Sequence, residues 1–216
     1  MKSKLGIAVR VACSLVVVAG LLGGVFAEDK EEGFKPLGNG KDMTPFKLVA
    51  GAPDTWTVDG DVIKCSGKPN GYFATSKSYK NYSVRFDFKY VRPAGLASDA
   101  DFGGNSGYLM HITGDHKVWP KSIEVQGQNK SAGVIFAISG AKIGKVKDEP
   151  EARKKALKPV GEWNSLEIIS KDGALTAILN GTKVCESEAG DVTEGPIGFQ
   201  SEGSEIHFRK LRIKEM

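Results

Sequence analysis

The sequence predicts an all-β fold, a two-sheet sandwich of jelly-roll type, on three observations. Short runs rich in β-branched and aromatic residues recur from Phe34 onward between clusters of Gly, Asn, Asp and Pro. Several of these runs alternate apolar and polar residues with period two, the pattern of a strand with one face buried and one exposed. Only one stretch has helical character. Roughly twelve to fourteen short strands without a linker suit one sandwich built from two packed sheets.

The clearest strand is Tyr82 to Tyr90, where Tyr82, Val84, Phe86, Phe88 and Tyr90 share one face and Ser83, Arg85, Asp87 and Lys89 the other. In Ser122 to Gln126, Ile123 and Val125 point one way, Glu124 and Gln126 the other. Asp148 to Leu157 reads as a short helix on a loop, with Pro150 near its start and Pro159 beyond its end. Leu166, Ile168 and the run Ala174 to Asn180 resume the alternation around a hairpin turn at Asp172-Gly173. Asn180-Gly181 supplies a second such turn into Thr182 to Glu186. In Glu205 to Lys214 the apolar phase of Ile206 and Phe208 slips to Leu211 and Ile213, which predicts a bulge near Lys210.

The N-terminus has the layout of a secretory signal peptide. Lys2, Lys4 and Arg10 precede an uncharged apolar stretch, Val11 to Phe26, that ends at the small residue Ala27. That stretch is short and glycine-containing for a membrane span, so cleavage after Ala27 is expected, leaving residues 28–216 as one exported domain, periplasmic or extracellular, without stable membrane insertion. The chain's net charge of +4 then loses three of its basic residues, and the near-neutral remainder argues against a nucleic-acid partner. Cys65 and Cys185 remain after cleavage, either as a disulfide or as two buried thiols. Neither has a partner at zinc or redox spacing.

Read in order, the chain presents Leu37-Gly38-Asn39-Gly40-Lys41-Asp42, Trp56 with Asp59-Gly60, Phe73-Ala74-Thr75-Ser76-Lys77 with Tyr79, and Asn105-Ser106-Gly107-Tyr108. These are followed by Ile123-Glu124-Val125-Gln126, Gly161-Glu162-Trp163-Asn164, Leu179-Asn180-Gly181, Gly195-Pro196-Ile197-Gly198-Phe199-Gln200 and Ile206 to Lys210. The series resembles the 3-keto-disaccharide hydrolase family, also described as 3-keto-α-glucoside-1,2-lyase/3-keto-2-hydroxy-glucal hydratase domains. The resemblance runs from Phe34 to Lys214 and rests on the order and spacing of the motifs together. It implies a concanavalin A-like, glucanase-type jelly roll acting on an oligosaccharide or glycoside with a ketone at C3. The chain departs from the family pattern at Gly38, where a Phe is usual, and at Gly127-Gln128, where an aliphatic residue and an Asp are usual.

A C3 ketone acidifies the C2 hydrogen, so a base can remove it, an enolate can expel the glycosidic oxygen, and water can add to the resulting glycal. Such a site needs a proton donor, a proton acceptor and hydrogen-bond donors for the enolate oxygen. Glu124 and Gln126 stand about 6.6 Å apart along one strand face. A conventional glycosidase needs two carboxyl groups, whereas the second group on that strand is an amide. Lyase/hydratase chemistry is therefore the expectation, with Glu124 as acid/base and Gln126 as a sugar hydrogen-bonding partner.

Further catalytic candidates are His111, as a proton carrier near neutral pH, and Arg209, as an enolate stabiliser. Asn105, Ser106 and Gln200 are candidate sugar contacts, Trp119 a candidate stacking surface, and Asp87 a carboxylate that would complete a pair if its strand neighboured Glu124. The competing reading of each is structural: a solvated strand face for Glu124, Gln126 and Arg209, a self-satisfied turn for Asn105 and Ser106, an internal hydrogen bond for His111. No cofactor is expected. The loop Asp99 to Asn105 has oxygen donors at alternate positions and is a candidate calcium site, though it lacks the remaining donors of an EF-hand loop. His111 and His116 straddle Gly114 without a helix to align them, so a metal pair is not expected. An exported enzyme of keto sugars thus stands beside a noncatalytic, lectin-like carbohydrate-binding module and a structural cell-surface domain.

Overall fold

A computed structural model describes residues 31–216. The expected signal peptide lies outside the described residues. Fifteen strands and one α-helix follow among those described. In chain order they are β1 (Lys35–Pro36), β2 (Phe46–Ala50), β3 (Trp56–Asp59), β4 (Val62–Cys65), β5 (Gly71–Thr75), β6 (Tyr82–Tyr90), β7 (Gly107–Thr113) and β8 (Lys121–Gln126). Then come β9 (Ile135–Ile138), β10 (Val146–Asp148), α1 (Pro150–Ala156), β11 (Asn164–Lys171), β12 (Ala174–Leu179), β13 (Thr182–Ser187), β14 (Gly198–Ser201) and β15 (Ile206–Glu215). The count exceeds the sequence expectation by short pieces such as β1 and β10, too brief to show an alternation.

The strands form two antiparallel sheets. One has the order β10-β13-β12-β11-β6-β15-β4-β3, with β1 also paired to β15; the other has the order β2-β5-β14-β7-β8-β9. Alternation dictates the layers. Tyr82, Val84, Phe86, Phe88 and Tyr90 of β6 are all buried, and they meet Phe73, Tyr108 and Phe199 of the six-stranded sheet in one core. The Phe73 and Phe199 rings stack at 4.8 Å, and the Phe86 ring lies 4.5 Å from that of Tyr108. Offset aromatic pairs of this kind add to the energy of area burial alone.

The turns and the bulge have the backbone their residues favour. Asp172-Gly173 and Asn180-Gly181 have positive φ at both positions, as tight hairpins between right-twisted strands require. Lys210 has φ +53, and the register of β15 against β6 shifts between Arg209 and Arg212. The slip keeps Ile206, Phe208, Leu211 and Ile213 all buried. It also divides the opposite edge of β15 between two partners, β4 along Ile206 to Arg209 and β1 at Arg212 and Ile213.

The helix α1 starts on Pro150 and packs against β13, with its buried Arg153 donating to Ala132 O at 3.0 Å and paired to Asp148. Cys65 and Cys185 are free, buried thiols in the core, and burial raises both thiol pKa values. Of the two alternatives left by the sequence, the structure has the thiols.

Candidate active site on the six-stranded sheet

Ile123 and Val125 of β8 belong to the core, so Glu124 between them projects from the outer face of the six-stranded sheet. The same alternation brings other polar side chains there. Gly107 and Asn105 precede Leu109, the register partner of Glu124, at intervals of two. On β14, Gln200 lies opposite Tyr72 of β5, and Glu202 follows two residues later, bridged to Asn105. The loop 114–120 contributes His116, whose Nδ1 lies 3.1 Å from the Tyr72 hydroxyl, and Trp119, a residue 45% exposed.

The chemistry of this face is set by burial. Glu124 is only 5% exposed and has no cationic partner among the described residues. Its pKa is pushed from 4.5 up to about 8, chiefly by desolvation and then by the charge of Glu202, while a hydrogen bond from Gln200 acts the other way. Glu124 is therefore a carboxylic acid at neutral pH. Glu202 is also raised by burial, against a hydrogen bond from Trp119. The Gln200 Oε1 and Asn105 Oδ1 atoms are buried without a hydrogen-bond partner. Orphaned acceptors of this kind are costly unless something pairs with them.

Gly107 is the floor between two of these groups. A Cβ placed on it would lie 2.1 Å from Gln200 Oε1 and 2.3 Å from Glu124 Oε1. Both side chains lie across the bare backbone, which only glycine allows. Gly127 answers the departure noted in the sequence. Its amide donates to Ser106 O at 2.8 Å, and a Cβ there would come within 2.6 Å of the same oxygen.

The sequence candidates divide between this face and the rest of the molecule. Glu124, Gln200, Asn105 and Trp119 come together on it. Gln126 shares the face, but its Oε1 accepts the Gln128 amide at 2.8 Å and so serves the following loop. Ser106 alternates to the inner side, where its hydroxyl donates to Gln200 O at 2.9 Å and fastens β7 to β14. Asp87 and Arg209 do not reach Glu124. They project from the outer face of the other sheet, hydrogen-bonded to each other at 3.0 Å, with the Arg209 guanidinium over the Trp163 ring at 4.1 Å. Period two on strands whose alternate residues are Phe86, Phe88 and Phe208 leaves them no other side.

His111 is also displaced from the site, and for a local reason. It has φ +56 and sits at a register slip in β7, which turns its ring inward. Nδ1 faces Val192 O at 3.2 Å and Nε2 faces Ser170 Oγ at 3.0 Å. Desolvation lowers its pKa to about 4, with the Val192 hydrogen bond opposing. His111→Ala is expected to cost about 2–4 kcal/mol in urea denaturation, because two buried partners lose their hydrogen bond. Any sugar turnover should stay within about threefold; a loss of about a hundredfold would return His111 to the catalytic set.

Asp99 in the candidate calcium loop is held by Arg92 and by the Val160 amide at 2.9 Å. Among the described residues, no group of three or more His, Cys, Asp or Glu side chains is placed to hold a metal ion. Among the same residues, no helix is long and apolar enough to cross a membrane. Sequence reading missed Glu202, Tyr72 and His116. Glu202 was accessible, since it stands two residues beyond Gln200 and period two puts it on the same face.

Acids, amides and an open indole on the outer sheet of a jelly roll are what carbohydrate-active domains offer to sugars, and this protein is of that class. Its architecture is shared with a Parabacteroides distasonis protein assigned provisionally as a glycosyl hydrolase, at 25% identity and a TM-score of 0.65 over 88% of this chain and 97% of that one. The carbohydrate-binding module CBM66 of Bacillus subtilis has the same fold at 12% identity and a TM-score of 0.56, over 81% and 98% of the two chains. A Bacillus licheniformis β-glucanase follows at 8% identity and 0.50, over 85% and 97%. No curated protein matches the sequence significantly. The model of the 3-keto-alpha-glucoside-1,2-lyase-like domain matches residues 33–214, and the chain belongs to that family.

Proposed function

We propose that the domain cleaves 3-keto-glycosides by elimination of the glycosidic oxygen followed by hydration, at the outer face of the six-stranded sheet. The observation that carries this reading is the buried Glu124 carboxyl, its pKa raised by desolvation, beside amides whose buried oxygens lack partners. A carboxylic acid that keeps its proton at pH 7 is suited to protonate a leaving sugar oxygen. The Gln200 amide is suited to donate to an enolate oxygen, and its free carbonyl and that of Asn105 to accept from sugar hydroxyls. Trp119 offers a ring face to the apolar side of a sugar. In the same reading residues 1–27 direct export, and the mature protein begins at Glu28.

The exposed ring of Trp119 also favours a second reading, a carbohydrate-binding module that holds the sugar without reacting. One experiment separates the two. Residues 28–216 are incubated with 3-keto-trehalose and with methyl 3-keto-glucoside, and released sugar is followed by NMR. Turnover is the expected result. Saturable binding of both probes with no product would establish the module and reject the enzyme.

A further inference from the structure

We propose that Glu202 is the second proton-transferring side chain of this site, the base that takes the C2 hydrogen while Glu124 protonates the leaving oxygen. The inference rests on the elimination and hydration reading above and supplies the group which that reading lacks. Glu202 follows β14, on the face that carries Gln200, and its backbone bridges Asn105. It is half-buried, and no Lys, Arg or His pairs with it among the described residues, whereas thirteen such pairs form elsewhere.

The second observation is independent of charge. Gln200, only 2% exposed, points its unpartnered Oε1 over Gly107 toward Glu124. Together with the Asn105 oxygen, beside the bridge to Glu202, it makes a polar strip on the face that carries Glu124. A sugar ring laid along that strip would find hydroxyl partners in both amides, with the two carboxyl groups beside it. The ionisable and polar neighbours of the pair include Tyr72 on β5 with His116 from the loop 114–120, Trp119 from the same loop, and Tyr90 on β6. None carries a fixed positive charge. Glu202 remains the member of the pair with the lesser burial, and its charge acts to raise the Glu124 pKa, which favours a single ionised carboxyl in the pair.

The proton count then closes. The Glu202 carboxylate removes the C2 hydrogen, and the C–H electron pair passes into the enolate of the C3 ketone. The enolate re-forms the ketone as the C1–C2 double bond appears and the C1–O bond breaks, and the leaving oxygen takes the Glu124 proton. In hydration, the Glu124 carboxylate takes a proton from water as its oxygen bonds to C1, and Glu202 returns a proton to C2. Both side chains recover their starting states, and one water is consumed.

The test uses the two keto sugars in D2O, with wild type, Glu202→Gln, Glu202→Asp and Glu124→Gln, each checked for folding by circular dichroism. Glu202→Gln should lose deuterium incorporation at C2 by about 10²- to 10⁴-fold, with Glu202→Asp recovering part of it. Glu124→Gln should retain C2 exchange while losing sugar release. If Glu202→Gln exchanges C2 at the wild-type rate while wild type turns over, Glu202 is not the base and the functional reading survives. If wild type neither exchanges nor cleaves either probe, the functional reading itself fails and the assignment falls with it.

Discussion

Glu124→Gln is expected to lose about 10²- to 10⁴-fold in turnover of a 3-keto-glucoside and to gain stability at the same time. Both effects follow from one displaced pKa. Unfolded, a glutamate titrates near 4.5, whereas the folded state holds the Glu124 proton up to about 8. Below pH 4.5 both states are protonated and burial of the carboxyl carries no ionisation penalty. As pH rises from there toward 8, the unfolded chain sheds the proton and the folded chain cannot, so stability falls by about 1.4 kcal/mol for each pH unit. A glutamine has no proton to shed. Its advantage over wild type should be absent near pH 4 and reach about 4 kcal/mol by pH 8.

Denaturant titrations of both proteins at pH 4, 6 and 8 measure the second effect, and a pH series of kcat measures the first. Wild-type turnover should decline as pH rises through about 8, since the acid is then lost. A glutamine variant that is less stable than wild type at pH 8 would mean that Glu124 is a satisfied anion, and the acid role would have to go elsewhere.

Gly107→Ala should separate site geometry from fold. The new methyl collides with the ends of two flexible side chains, and Gly107 does not have a left-handed backbone. The chain can therefore keep its fold by pushing Glu124 and Gln200 aside, at an overpacking cost of about 1–3 kcal/mol. The reaction is less forgiving, because a displacement of about 1 Å in the reacting groups can cost a hundredfold. Loss of turnover by about 10²-fold with a modest fall in melting temperature is the expected pair of results. Gly103→Ala, which has open space around its Cβ, is the control and should change neither. Full activity in Gly107→Ala would show that the reaction uses other residues.

Much of the fold was legible because it depends on rules of short range. Period two assigned the faces of β6, β8 and β12, the Asp-Gly and Asn-Gly pairs marked hairpins, and the phase slip in the last strand located its bulge. The site was legible only as far as faces are. Glu124 was named because it alternates with the core residues Ile123 and Val125, whereas Asn105 and Gln200 were named as polar residues adjoining Gly-rich runs. Arg209 and Asp87 were misplaced because the sequence does not say which sheet a strand joins. His111 was misplaced for a different reason. The slip in β7 reverses its side, and nothing in Met110-His111-Ile112 announces it. Glu124's proton was beyond sequence reasoning altogether, since it depends on burial by groups distant in the chain.

The position of β15 gives the protein a timetable. The last of the described strands is a central strand of the larger sheet, and among them it alone joins β3 and β4 on one flank to β6 and its neighbours on the other. During synthesis those two flanks are already present, yet they have no hydrogen-bonded connection to each other within the sheet. The ten residues from Ile206 to Glu215 are synthesised after both flanks, bringing Phe208 to the aromatic core and closing the gap in one event. Until then the nascent chain holds two partial sheets with open edges, and the six-stranded sheet opposite has no complete core behind it.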